Sequence, residues 1–332
     1  MNKFFYAIMA FLLVLCTPLL TEAHAKWFAE VTPKKVTIEY ILSPTFMMVS
    51  VGIALFLAIL TQLLPYFEKI KTVHAVDTFL DRFRYSSRTI LQYGTALALI
   101  IQVLSGAIFA PEFAIENQLV RIAVWVTILL LIIPNHYSTK TGASILFVLF
   151  FYQITKSGLF HLLDYTFYLA IIVALLVGRT KLDNWGFPIL YLGTGLSLCW
   201  VAVEKWVYPA MSIDIIHGHG VPTFGFTPES FVIIAAFIEF VVGYLLIVGI
   251  LNRLLAFVLT LLFISTTLLF GIKEIVGHFM IHIVLIIFII EGVSFYDPPL
   301  KFHKTRISQI VFVFLNFLFT LATFLLLYYR FA

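Results

Sequence analysis

The feature that most restricts this chain is a succession of long, nearly uncharged apolar runs. After a first stretch at Phe4 to Leu20, they fall at about 38–64, 89–110, 119–134, 141–155, 159–178, 187–208, 230–250, 254–270, 274–292 and 307–329. A bilayer core takes roughly 20 helical residues to cross, so these read as about ten transmembrane helices. The runs are continuous rather than alternating, which argues against a transmembrane β-barrel. Only 11% of the residues are charged, less than half of the about 25% usual in soluble domains. A soluble enzyme, a disordered chain and a nucleic-acid-binding module are thereby excluded. The expected fold class is an all-α polytopic membrane protein, with the lipid bilayer as its first partner and no nucleic acid.

The N-terminal stretch has its own logic. A basic Met1-Asn2-Lys3, an apolar segment and small residues at Ala23 and Ala25 form a secretory signal pattern. The signal peptide is therefore read as 1–23, or 1–25. A cut after Ala23 makes His24 the new N-terminus, whose amine and ring nitrogen suit copper; a cut after Ala25 removes it. Trp27 and Phe28 read as interfacial anchors at the outer boundary. Of the two cysteines, Cys16 lies in the signal and Cys199 in a helix, so no intrachain disulfide framework is expected.

Residues 24–65 are read as a periplasmic segment and a first transmembrane helix. Residues 66–87 follow as a cytoplasmic amphipathic segment, with Phe67, Ile70, Val73, Val76, Phe79 and Leu80 at helical spacing. Lys69, Lys71, Arg82, Arg84, Arg88, Arg179 and Arg253 all fall on one side. By the positive-inside rule that side faces inward and both mature termini face outward.

An internal repeat organises the rest. Gly94-Thr95-Ala96-Leu97-Ala98-Leu99 parallels Gly193-Thr194-Gly195-Leu196-Ser197-Leu198. Lys140 and Arg253 each begin a helix ending eighteen residues later, at Gly158 and Gly271, and the next helices end at Gly178 and Gly292. Two tandem four-helix modules are expected, 88–179 and 187–293, followed by a C-terminal transmembrane helix at 307–330.

Charged side chains at membrane depth are expensive and are site candidates by default. In the second module Glu274, His278 and His282 recur every four residues and so share a helix face. His278 lies about 6 Å and His282 about 12 Å below the outer end of their helix. By the same measure Glu204 shares the level of His278, and Glu239 that of His282. The outer connection 209–229, read as a loop, contains His217-Gly218-His219-Gly220. There two imidazoles could reach one metal, and His with carboxylate suits zinc, copper or iron. His217, His219, His278, His282, Glu274 and His24 are the metal-ligand candidates, while Glu204 and Glu239 are catalytic ones. The first module offers only His161, Asp164 and Tyr168 in the matching helix and reads as a scaffold copy.

Residues 187–293 resemble the DoxX family of small four-helix membrane proteins. The likeness runs from Gly195 through Glu204-Lys205, then Ile238-Glu239 and Gly243, the turn Gly249-Ile250-Leu251-Asn252-Arg253, and Gly277-His278. It implies an inner-membrane protein in redox partnership, with quinone or with a respiratory or periplasmic partner. It also implies roles for Lys205 and Glu239. This chain is longer than the family pattern and adds the signal peptide and the His-Gly-His segment. Two readings stay open at this level, with or without an enzymatic activity. One is a DoxX-like redox protein with an outward-facing His/Glu site. The other is a transporter of protons, metal or small solutes, or a membrane scaffold in which the same residues pair structurally.

Overall fold

A computed structural model describes residues 25–67, 71–292 and 305–332; the signal-peptide and His24 readings lie outside these residues. Helices fill the apolar runs. They are α1 (Pro44–Phe67), α2 (Lys71–Asp81), α3 (Ser87–Leu104), α4 (Gln118–Ile132), α5 (His136–Ser157), α6 (Thr166–Val177), α7 (Gly186–Val207), α8 (Pro209–His219), α9 (Pro228–Val248), α10 (Asn252–Phe270), α11 (Ile272–Glu291) and α12 (Arg306–Phe331). A turn Leu159–Leu162 and a tight 3-10 turn Leu163–Tyr165 lead into α6. Seven described spans are long and apolar enough to cross a membrane, those built on α1, α6, α7, α9, α10, α11 and α12. The chain is thus a multi-pass membrane protein. Three of the ten expected crossings, α3 to α5, fall below that measure. The reason is local: α4 has 15 residues, α5 opens on His136-Tyr137-Ser138-Thr139-Lys140-Thr141, and α3 carries Arg88, Gln92 and Gln102.

Two local expectations are corrected. The helix read as 89–110 stops at Leu104, and residues 107–114 form a small antiparallel hairpin, β1 (Ala107–Ile108) and β2 (Ala110–Ala114). Pro111 has no N–H to continue a helix. Gln102 also ties the turn down: its side chain accepts from the Phe109 backbone N–H at 3.1 Å and donates to the Phe109 carbonyl at 3.3 Å. The second correction is in 209–229, where residues 209–219 are helical rather than a loop. Pro209 sits in the first turn of α8, where its missing N–H costs nothing, and Gly220 closes the helix in the left-handed region at φ 63°.

The helices cross-pack between the two halves of the chain. Within the first half α3 packs on α4, α4 on α5 and α5 on α6; within the second α7 packs on α9 and α10 on α11. The last helix of each half then lies against the first helix of the other, α6 on α7 and α11 on α3. Small residues permit both contacts. A Cβ at Gly94 of α3 would collide with Ile283 of α11, and one at Gly193 of α7 with Ala170 of α6. The tightest crossing is α7 on α9, where Cβ atoms built at Gly195 and Gly243 would each lie 2.6 Å from the other's carbonyl oxygen. Such close backbone approach through small residues is the usual way membrane helices gain packing energy. Helices α1 and α12 pair on the flank.

Polar tethers gather at the two ends of the bundle. At one end Arg253 binds Asp77 and Asp81 of α2 and the carbonyls of Ile289 and Ile290, while Arg88 pairs with Asp183. At the other end lies the segment that follows the expected cleavage sites.

Candidate functional site

Residues 25–36 are bolted across the bundle end. Ala25–Phe28 form one helical turn, and Trp27 keeps only 4% of its surface exposed. Its ring occupies the space a side chain at Gly277 would need, and it lies 5.0 Å from the His278 ring. The Trp27 indole N–H donates to the Tyr165 hydroxyl at 2.9 Å, and the Lys273 ammonium donates to the Trp27 carbonyl. Phe28 packs on Phe270 and His219, the Glu30 N–H donates to Asp214 at 2.8 Å, and the Val36 N–H donates to the Val207 carbonyl at 3.1 Å.

Lys26 is the centre of this arrangement. Its ammonium lies 2.6 Å from the Asp164 carboxylate and 2.8 Å from that of Glu204. Asp164 comes from the 3-10 turn before α6 and Glu204 from α7, so one lysine joins the two halves of the chain. Burial alone would lower the Lys26 pKa, but the Asp164 and Glu204 charges outweigh it and hold the ammonium above the ordinary lysine range. The Tyr328 hydroxyl of α12 donates to Glu204 at 3.4 Å.

Two further buried pairs accompany it. The Lys205 ammonium donates to Glu239 Oε1 at 2.7 Å, across the close α7–α9 crossing. Glu274 and His278 Nδ1 are 2.8 Å apart on successive turns of α11, and the His278 ring stacks on Phe263 at 4.5 Å. Among the described residues, Glu239 Oε2 and Asp164 Oδ1 are buried with no hydrogen-bond partner. A buried carboxylate oxygen without a donor is costly unless something else, such as a proton, satisfies it.

The expected constellation is thus re-partnered. Glu204 faces Lys26 rather than His278, and Glu239 faces Lys205 rather than His282. His282 is half-buried on α11, 6.0 Å edge-on from Phe263. His217 and His219 are exposed at the end of α8. Two residues apart on a helix, they project to roughly opposite sides, so this helix does not turn them toward a common point. Among the described residues no group of three or more His, Cys, Asp and Glu side chains is disposed to hold a metal ion. Sequence reading missed the anchoring role of Lys26, Trp27, Tyr165 and Tyr328. The one available signal was Asp164, a carboxylate inside an apolar run.

Comparison with known families gives one match: residues 189–272, the stretch from α7 to the start of α11, match the DoxX family model. No curated protein and no solved structure matches the chain.

Proposed function

We propose that this membrane protein, which carries a DoxX domain at 189–272, holds exchangeable protons in its buried cluster and uses them in a quinone-linked redox step. One observation carries the reading. Among the described residues at that end of the bundle, four buried carboxylates, Asp164, Glu204, Glu239 and Glu274, face two lysines, Lys26 and Lys205, and one histidine, His278. Isolated charges are not tolerated in such surroundings and are neutralised by proton uptake. The four carboxylates outnumber the three basic groups, which favours a proton shared within the cluster. A quinol gives up protons with its electrons; Glu239, which lies within the family likeness and whose Oε2 has no hydrogen-bond partner among the described residues, is the acceptor. The electrons pass to a respiratory or periplasmic partner.

The tandem-module reading accords with the reciprocal packing of α6 on α7 and α11 on α3. The orientation accords with the basic tethers at one end and the segment after the expected cleavage site at the other. On this reading the protein lies in the inner membrane with both mature termini periplasmic. A cysteine placed at exposed Gly218 should react with a membrane-impermeant reagent in intact spheroplasts, and one at exposed Ala75 only after permeabilisation. The reverse pattern would overturn the orientation.

The functional test is Glu239→Gln, which keeps shape and hydrogen bonding but removes the charge. Quinol oxidation by membranes carrying the variant should fall by about 10²-fold or more, the usual contribution of a positioned acid–base group. Lys205→Met should fall alongside it. If both variants oxidise quinol like the wild type and differ only in melting temperature, the pairs are structural and the protein is a scaffold.

A further inference from the structure

A pocket of about 610 Å³ opens between the β1–β2 hairpin, the start of α4 and the end of α5, with Glu112, Glu116, Gln153 and Lys156 among its lining residues. Glu112 connects it to the interior. Its side chain keeps 17% exposure and its Oε2 lies 3.1 Å from His161 Nε2. Its Oε1 accepts a hydrogen bond from the hydroxyl of Tyr165, itself 1% exposed. Burial would raise the Glu112 pKa. The His161 hydrogen bond and charge, the Tyr165 hydrogen bond and the Lys26 charge together hold it below the usual carboxylate value. Glu112 is therefore an ionised acceptor at the pocket that feels the buried lysine.

The connection continues in register. Trp27 bonds Tyr165 while the preceding residue of each, Lys26 and Asp164, form the adjacent ion pair. Asp164 Oδ1, wholly buried and without a hydrogen-bond partner among the described residues, is an acceptor one residue from Tyr165.

We infer that this pocket is the aqueous port of the buried cluster, and that Glu112, assisted by His161, passes protons between pocket water and the Asp164–Lys26–Glu204 group. The inference rests on the proton-holding reading above. A proton moves from water to Glu112, and Tyr165 takes it up as its own hydroxyl proton leaves for Asp164 Oδ1. That last transfer needs the hydroxyl to turn from Glu112, or one bridging water. Glu116 and Lys156 are the remaining charged groups lining the port, and they bias it without lying on the route. The cargo is the proton alone, so no electron is transferred and no bond other than O–H is made or broken.

The test is infrared spectroscopy of the purified full chain, mixed rapidly from H₂O into D₂O. The wild type should show a protonated-carboxyl C=O band at neutral pH that shifts on deuteration, and Asp164→Asn or Glu204→Gln should remove or displace it. Glu112→Gln should keep the band's amplitude and slow its shift by about a hundredfold, the low end for a positioned proton-transfer group. Tyr165→Phe should slow it similarly. His161→Gln leaves Glu112 in place and should give a smaller delay; it serves if Glu112→Gln does not fold. A normal band shifting at the wild-type rate in the variants that fold would overturn the port while leaving the proton-holding reading intact. Absence of the band from the wild type would overturn both.

Discussion

Lys26→Ala should be among the most destabilising single substitutions in the chain, at about 3–5 kcal/mol, the cost of removing one partner of a buried ion pair. The variant strands the Asp164 and Glu204 carboxylates against each other. It also releases an ammonium that lies 2.6 and 2.8 Å from residues of both halves of the chain. Thermal unfolding in detergent, followed by tryptophan fluorescence, reads the loss and should also report Trp27 becoming solvated. The triple variant Lys26→Met, Asp164→Asn, Glu204→Gln should recover most of the stability, because neutral partners of similar shape remove the stranded charge. A melting temperature for Lys26→Ala equal to that of the wild type would refute the anchor.

The second large effect is expected at the α7–α9 crossing. Gly243→Val places a branched side chain where a Cβ already meets the Gly195 carbonyl at 2.6 Å and Cys199 Sγ at 2.9 Å. Overpacking costs about 1–3 kcal/mol where side chains can yield. Here the first neighbour is backbone, so the helices themselves must part. Parting them draws Lys205, nearly three turns from Gly195 on α7, away from Glu239, about one turn from Gly243 on α9. The expected outcome is a lowered melting temperature together with lost quinol oxidation. Gly52→Val on α1, where a Cβ would meet nothing within 4 Å, is the matched control. Equal behaviour of the two variants would contradict the crossing.

What could be read in advance divides along physical lines. Membrane helices were legible because hydrocarbon thickness sets a length and composition that local sequence displays, and the DoxX stretch because its motifs are local too. The burial of Glu204, Glu239 and His278 agrees with their places inside apolar runs. Their partners were not legible: Lys26 meets Asp164 across 138 positions, a pairing fixed by how helices pack rather than by spacing. The His217-Gly218-His219 segment misled for the opposite reason. Its glycines suggested a folded loop, while Pro209 at the start and Gly220 at the end set a helix. The hairpin at 107–114 was hidden inside an apolar run, since apolar content alone does not separate helix from strand over a few residues.

The anchoring of the first described residues also sets a timetable. Trp27 leaves the ribosome early, yet Lys273, which holds its carbonyl, follows 246 residues later, with Gly277 and His278 behind it. At roughly 5–20 residues per second of synthesis, this segment waits on the order of ten to fifty seconds before its seat exists. Asp164, Tyr165 and Glu204 are made within that interval, but the seat for Trp27 on α11 is not. Assembly of this end of the bundle is therefore a late step of biogenesis, governed by the completion of α11 rather than by the insertion of the helices before it.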